Sequence, residues 1–213
     1  MKRAALAAIC VLVALGAALA WPASRPGQAS PTRVLSVGVT PARGPEATGS
    51  GFVAGPGRVV TVAHLLERRP RIEVRRPGGP WRRARLLRLD RRTDLALLAV
   101  PGLRGSPLQT ADAPDDVRLL LLRDGRGVSR RARVRRAIDA SVRAAPGARP
   151  QRRPALELGA RITAGDSGAP VVTARHEVAG VLFARSRDDA RIAYAVDASA
   201  LEQLLKRRGP GQP

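Results

Sequence analysis

The segment Gly165-Asp166-Ser167-Gly168-Ala169-Pro170 sets a serine directly before one glycine and two residues after another. Such a serine can occupy a tight turn, with Oγ exposed and its N–H aimed at a developing oxyanion. The preceding glycine can take backbone angles that bring a second N–H alongside. Small residues also gather in ordinary surface turns, so the motif needs partners. A serine hydroxyl becomes a nucleophile when a base takes its proton, and the chain holds two histidines, His64 and His176. His176 lies in a short polar stretch, Thr173 to Glu177, between apolar runs, and reads as an exposed hairpin turn. His64 ends a β-rich hairpin, Ser50 to Ala54 and Val59 to Val62 around Gly55-Pro56-Gly57. Its imidazole would need a carboxylate to fix the tautomer and stabilise the imidazolium. Asp94 stands at the entrance to the apolar strand Leu95 to Val100, where one side of a carboxylate can be buried. Asp90, in a charged turn, reads as pairing with neighbouring arginines.

Three blocks, Thr61-Val62-Ala63-His64, Thr93-Asp94-Leu95-Ala96-Leu97-Leu98 and Gly165 to Pro170, resemble the signature blocks of trypsin-like serine proteases. They run in that family's order, with spacings of 30 and 73 residues. Gly49-Ser50-Gly51-Phe52-Val53 and Ile192 to Asp197 with the following Leu201 to Leu205 resemble the HtrA/Deg-type bacterial members in particular. The likeness covers about residues 34–206, and no PDZ domain is expected after it. It implies an all-β fold of two six-stranded antiparallel β-barrels with a short C-terminal helix. It further implies Ser167 as nucleophile, His64 as general acid–base, Asp94 as orienter, and the N–H groups of Gly165 and Ser167 as oxyanion hole. Asp166 would be buried against a cation. Ala169 stands where a second glycine is common, and Asp166 where HtrA-type members usually carry asparagine.

The elements needed to hold these residues are legible as short strands with turn signals between them. Val34–Val39, Ser50–Ala54, Val59–Val62, Ile72–Arg75, Trp81–Leu89 and Leu95–Val100 would close a first barrel, about residues 34–101, carrying His64 and Asp94. A connection over Gly102–Asp116 leads to Val117–Leu122, Val128–Val142, Leu156–Leu158, Ala169–Val172, Val178–Phe183 and Arg191–Val196. These would close a second barrel, about 117–197, carrying Ser167. Ala63–Arg68 reads as a helical turn. Leu201, Leu204 and Leu205 have helical spacing. Arg130–Arg136 holds five arginines in seven residues and reads as a strand with a solvated basic face. Arg143–Arg153 reads as a mobile loop near the cleft.

A chain of 213 residues has room for one two-barrel unit. Only 2% is aromatic, so Val, Leu and Ala must fill the cores. The formal net charge of +21 comes almost entirely from arginine; such a surface can meet anionic lipid or polyanions. Lys2 and Arg3, the uncharged run Ala4 to Ala20 and the Ala18-Leu19-Ala20 site before Trp21 have the form of an export signal, or of an N-terminal membrane anchor. Residues 21–33, rich in Pro, Ser and Gly, read as a linker, and 207–213 as a flexible tail. The single cysteine, Cys10, lies in the apolar run, so no disulfide is expected after signal removal. No cofactor or metal is implied.

By the same resemblance Ile162, Phe183 and Ala193 would line a modest apolar pocket suited to small or medium aliphatic residues. Arg161 or Arg185 would favour an acidic residue if either reached it. The leading function is an exported endopeptidase acting on polypeptides, in envelope protein quality control or processing. The alternative is an inactive protease-fold protein that binds a partner or polyanion through its basic surface. Few aromatics disfavour single-strand nucleic acid recognition. The order of the three blocks and the missing Gly-x-Ser-x-Gly elbow disfavour an α/β-hydrolase acting on esters.

Overall fold

The computed structural model describes residues 34–40, 47–66, 71–105, 109–142 and 150–206. The leader, the linker and the C-terminal tail lie outside them. Twelve strands run in chain order: β1 Val34–Thr40, β2 Ala47–Gly55, β3 Arg58–Val62, β4 Arg71–Arg75, β5 Arg82–Asp90, β6 Leu95–Ala99, β7 Asp116–Arg123, β8 Arg126–Val142, β9 Gln151–Gly159, β10 Pro170–Val172, β11 Val178–Arg185 and β12 Ile192–Asp197. A 3₁₀ turn, His64–Leu66, follows β3, and one helix, α1 Ala198–Lys206, closes the described chain. Two closed antiparallel barrels result, in the orders β1-β2-β3-β6-β5-β4 and β10-β11-β12-β9-β8-β7.

Alternation along the strands divides the apolar residues among three cores. Val59, Ala96 and Leu98 point into the first barrel beside Leu35, Val37 and Val53. Leu119, Leu121, Leu158, Leu182 and Ala195 point into the second. Their neighbours on the opposite strand faces, among them Val60, Val62, Leu95, Leu97, Leu120 and Val181, pack between the barrels with Leu201 and Leu204 of α1. β3 and β6 are therefore buried on both faces. That explains their unbroken runs of Val, Leu and Ala. Asp197 caps the helix: its Oδ1 accepts the Ser199 N–H at 2.9 Å and starts α1. Arg88 donates to the Leu204 carbonyl at 2.5 Å near the helix end.

Strand limits depart from expectation at one place that bears on the site. β9 begins at Gln151, not Leu156, and pairs Arg153 with Ala140 of β8. The reading of Arg143–Arg153 as a loop therefore fails for residues 151–153, because backbone pairing to the long β8 outweighs their polar side chains; residues 143–149 lie outside the described residues. β8 is a strand with Arg130, Arg131, Arg133, Arg135 and Arg136 on it, all of them exposed. The Thr173–Glu177 stretch is a hairpin turn, with His176 exposed at φ 65°.

Candidate active site

His64 and Asp94 are brought together by one register pair. Val62 of β3 lies opposite Leu95 of β6, so the residues just past β3 face the residue just before β6. Asp94 takes φ 61°, a left-handed conformation that Asp tolerates better than most side chains. Both its oxygens are then spent on one residue. Oδ1 accepts the His64 backbone N–H at 2.8 Å, and Oδ2 lies 2.8 Å from His64 Nδ1. The Asp94 carbonyl also accepts the Ala63 N–H at 3.0 Å. The Asp94 side chain is 11% exposed and that of His64 is 42%, so the carboxylate is buried and the ring is reachable. Asp90 instead closes the turn ahead of β6, its Oδ1 accepting the N–H groups of Arg92 and Thr93.

Ser167, half-buried, sits in the turn before β10, between Gly165 at φ 92° and Gly168 at φ 90°. Ser50 of β2 stitches that turn to the first barrel. Its N–H donates to the Ser167 carbonyl at 2.7 Å, and its Oγ donates to the Gly165 carbonyl at 2.7 Å. Thr61 of β3 completes the stitch by donating to the Ser50 carbonyl at 2.8 Å. A Cβ at Gly49 would stand 3.1 Å from the Ser167 carbonyl and 2.7 Å from Leu65 Cδ2. The serine turn and the neighbour of His64 thus flank the same glycine. A Cβ at Gly168 would stand 1.9 Å from the Ser50 carbonyl oxygen, so no other residue fits there without backbone movement. Among the described residues, neither the Gly165 nor the Ser167 N–H donates to a protein oxygen.

Asp166 is 1% exposed, and the cation beside it is Arg123 at the end of β7. Nη1 and Nη2 meet the two carboxylate oxygens at 2.5 and 2.8 Å, a two-pronged pair. Oδ2 also accepts the Thr163 N–H at 2.7 Å and the Thr163 hydroxyl at 3.2 Å. The hydrogen bond to Asp166 raises the Arg123 pKa further, against the opposing effect of burial. Sequence reasoning left this cation unnamed, since nothing in the local pattern links residues 43 positions apart. It also missed Ser50, whose signal was its place between two glycines in a strand, a sign of close backbone approach.

The three residues expected to line a specificity pocket are placed differently from one another. Phe183 lines a cavity of about 780 Å³ together with Ile138, Ala184, Arg185 and Tyr194. Its ring centroid lies 6.4 Å from that of Tyr194. Ile162 and Ala193, 6% and 0% exposed, belong to the core of the second barrel. Alternation on β12 turns Ala193 inward and Tyr194 outward. Arg185 reaches this cavity; Arg161 does not line it, and its carbonyl accepts Arg130 Nη1. No cluster of potential metal ligands occurs among the described residues.

The profile of the trypsin-like peptidase domain matches residues 49–181. The chain is 33% identical over 171 residues to serine protease Rv3671c of Mycobacterium tuberculosis strain H37Rv. That match takes in 78% of this chain and 43% of the relative, so the chain spans less than half the length of that curated protein. The crystal structure of the Rv3671c protease in its active form superposes with a TM-score of 0.76 at 30% identity, covering 85% of this chain and 83% of that one. An HtrA-type protease, AlgW with a tripeptide, shares the fold at a TM-score of 0.70 and 19% identity, covering 83% of this chain and 60% of its own. Profile, relative and superposition agree with a buried carboxylate, a histidine and a glycine-flanked serine held at the meeting of two barrels: the chain belongs to the trypsin-like peptidase family.

Proposed function

We propose that this protein is an exported serine endopeptidase whose chemistry is carried by Ser167, His64 and Asp94. The observation that carries the reading is the double grip of Asp94 on His64, through both the backbone N–H and ring Nδ1. A carboxylate on Nδ1 leaves the other ring nitrogen as the proton acceptor and stabilises the imidazolium that forms. In the first step His64 takes the Ser167 hydroxyl proton as Oγ attacks the peptide carbonyl. The oxyanion is held by the N–H groups of Gly165 and Ser167, which Asp166, anchored by Arg123, keeps in place. The tetrahedral adduct collapses, His64 gives its proton to the leaving amine, and an acyl-Ser167 ester remains. Water, deprotonated by His64, then attacks the ester carbonyl, the bond to Ser167 Oγ breaks as His64 returns the proton to it, and the carboxylate product leaves.

The substrate is a polypeptide. Phe183 and Tyr194 supply the apolar wall of its subsites, and small or medium aliphatic side chains suit them. The leader pattern of residues 1–20 supports export, and the HtrA-type likeness supports envelope protein quality control or processing as the setting. Fluorophosphonate labelling of the purified protein, beside Ser167→Ala and His64→Ala, tests the reading. Labelling of the wild type alone is expected. A folded wild type that never labels would sink it and turn attention to binding through the arginine-rich β8.

A further inference from the structure

Among the described residues one arginine is buried, Arg153 on β9, at 4% exposure. Its guanidinium lies between Asp94 and the ring of Phe183. Nη1 stands 3.3 Å from Asp94 Oδ2, and the central carbon lies 5.3 Å from the centroid of the Phe183 ring. The contact to Asp94 is at ion-pair distance, yet the N–H does not align as a hydrogen bond. Nε and Nη1 both lack a hydrogen-bond partner among the described residues. Buried donors are normally paired, so two unpaired nitrogens on one guanidinium need a reason. Packing alone does not supply one, since a methionine would fill the same space without a charge to desolvate. Burial lowers the Arg153 pKa, while Asp94 and, more weakly, Asp90 hold it up. A guanidinium keeps its proton in such surroundings.

Asp94 Oδ2 therefore serves two groups at once, His64 Nδ1 at 2.8 Å and Arg153 Nη1 at 3.3 Å. Among the described residues, the charged groups against this pair include Asp94 itself from the turn before β6, Asp90 from the end of β5 and Arg153 from β9; Phe183 of β11 brings none. An imidazolium at His64 would meet a carboxylate that a fixed cation has already partly neutralised. A nearby positive charge disfavours a second one, so the ring gives up its proton at a lower pH than it would beside Asp94 alone. We propose that Arg153 is a positioning residue of the triad, which holds the outer oxygen of Asp94 and sets the pH range over which His64 is available as a base. The proposal rests on the triad reading above.

The test follows the fluorophosphonate labelling rate of the full chain from about pH 5 to about pH 10, a range that spans imidazole titration. Wild type, Arg153→Met, Arg153→Gln and Arg153→Lys are compared. For Arg153→Met and Arg153→Gln the midpoint of the profile is expected to rise by about one pH unit, a roughly tenfold slower reaction on the acidic limb, with the alkaline plateau held within a few-fold. Arg153→Lys, which restores the charge, should bring the midpoint back toward the wild type. A neutral variant whose profile superimposes on the wild type overturns the proposal. So does an equal loss at every pH in all three variants, which marks a residue that only fills space. A wild type that fails to label at any pH instead overturns the triad reading on which the proposal stands.

Discussion

Asp94 and Asp166 are both buried, and both face an arginine delivered by the second barrel, yet they are built to opposite ends. Asp166 is saturated. Arg123 grips it with two nitrogens and Thr163 adds an N–H and a hydroxyl. Both of its oxygens are paired, and Arg123, at 31% side-chain exposure, keeps contact with solvent. Asp94 gives its oxygens to His64 and, among the described residues, has a misaligned arginine beyond it, itself sealed from water. A fully paired carboxylate holds a turn in one shape. One whose outer partner is a misaligned cation can answer a change of charge on the histidine it orients.

On this contrast the two aspartates fail in different ways when disturbed. Asp94→Asn should slow fluorophosphonate labelling by about 10⁴-fold, the scale of loss when the orienting group favours the wrong tautomer. Its Tm should fall less than that of Arg123→Met, since the asparagine keeps an oxygen beside the buried Arg153 and the lost ion pair is a misaligned one. A large Tm drop with modest loss of rate would erase the distinction. Arg123→Met should act in the reverse sense. It strands the buried Asp166 charge and should cost about 3 kcal/mol of unfolding free energy, read by urea denaturation. Stability unchanged in that variant would mean that the Asp166 turn is held by Thr163 alone.

The smallest effect belongs to a carboxylate on the surface. Lys206 and Thr110 donate to Glu202, and the Lys206 hydrogen bond foremost holds its pKa below the ordinary 4.5. A depressed carboxyl pKa stabilises the fold fully above the unfolded value and loses that contribution as pH falls through the folded one. Glu202→Gln should therefore lower Tm slightly at neutral pH, far less than Arg123→Met, and the difference should vanish below the folded pKa. A difference that persists there would point to packing in place of charge.

The barrels and the three blocks were legible because they depend on local pattern. Period-two alternation, Gly and Pro punctuation and unbroken apolar runs announce strands whatever their partners are. His64, Asp94 and Ser167 each carry a short context that can be read in place. Arg123 and Arg153 could not be found that way. Their importance comes from which residues the closure of the second barrel sets beside them, 43 positions away for Asp166 and 59 for Asp94. Among so many arginines no spacing marks the two that are used. The residues 151–153 looked like loop because strand pairing to β8, not side-chain hydrophobicity, makes them a strand.

The contact at Gly168 has a consequence for timing. With the Ser50 carbonyl filling the space of a side chain, the serine turn acquires its shape only when residues more than a hundred positions apart have met. A chain made from its N-terminus presents His64 and Asp94 before Ser167 exists, and β3 and β6 gain their second buried face only from the later residues. The protein therefore carries its own delay. On the proposed reading, the serine turn is completed in the same event that brings the two barrels together.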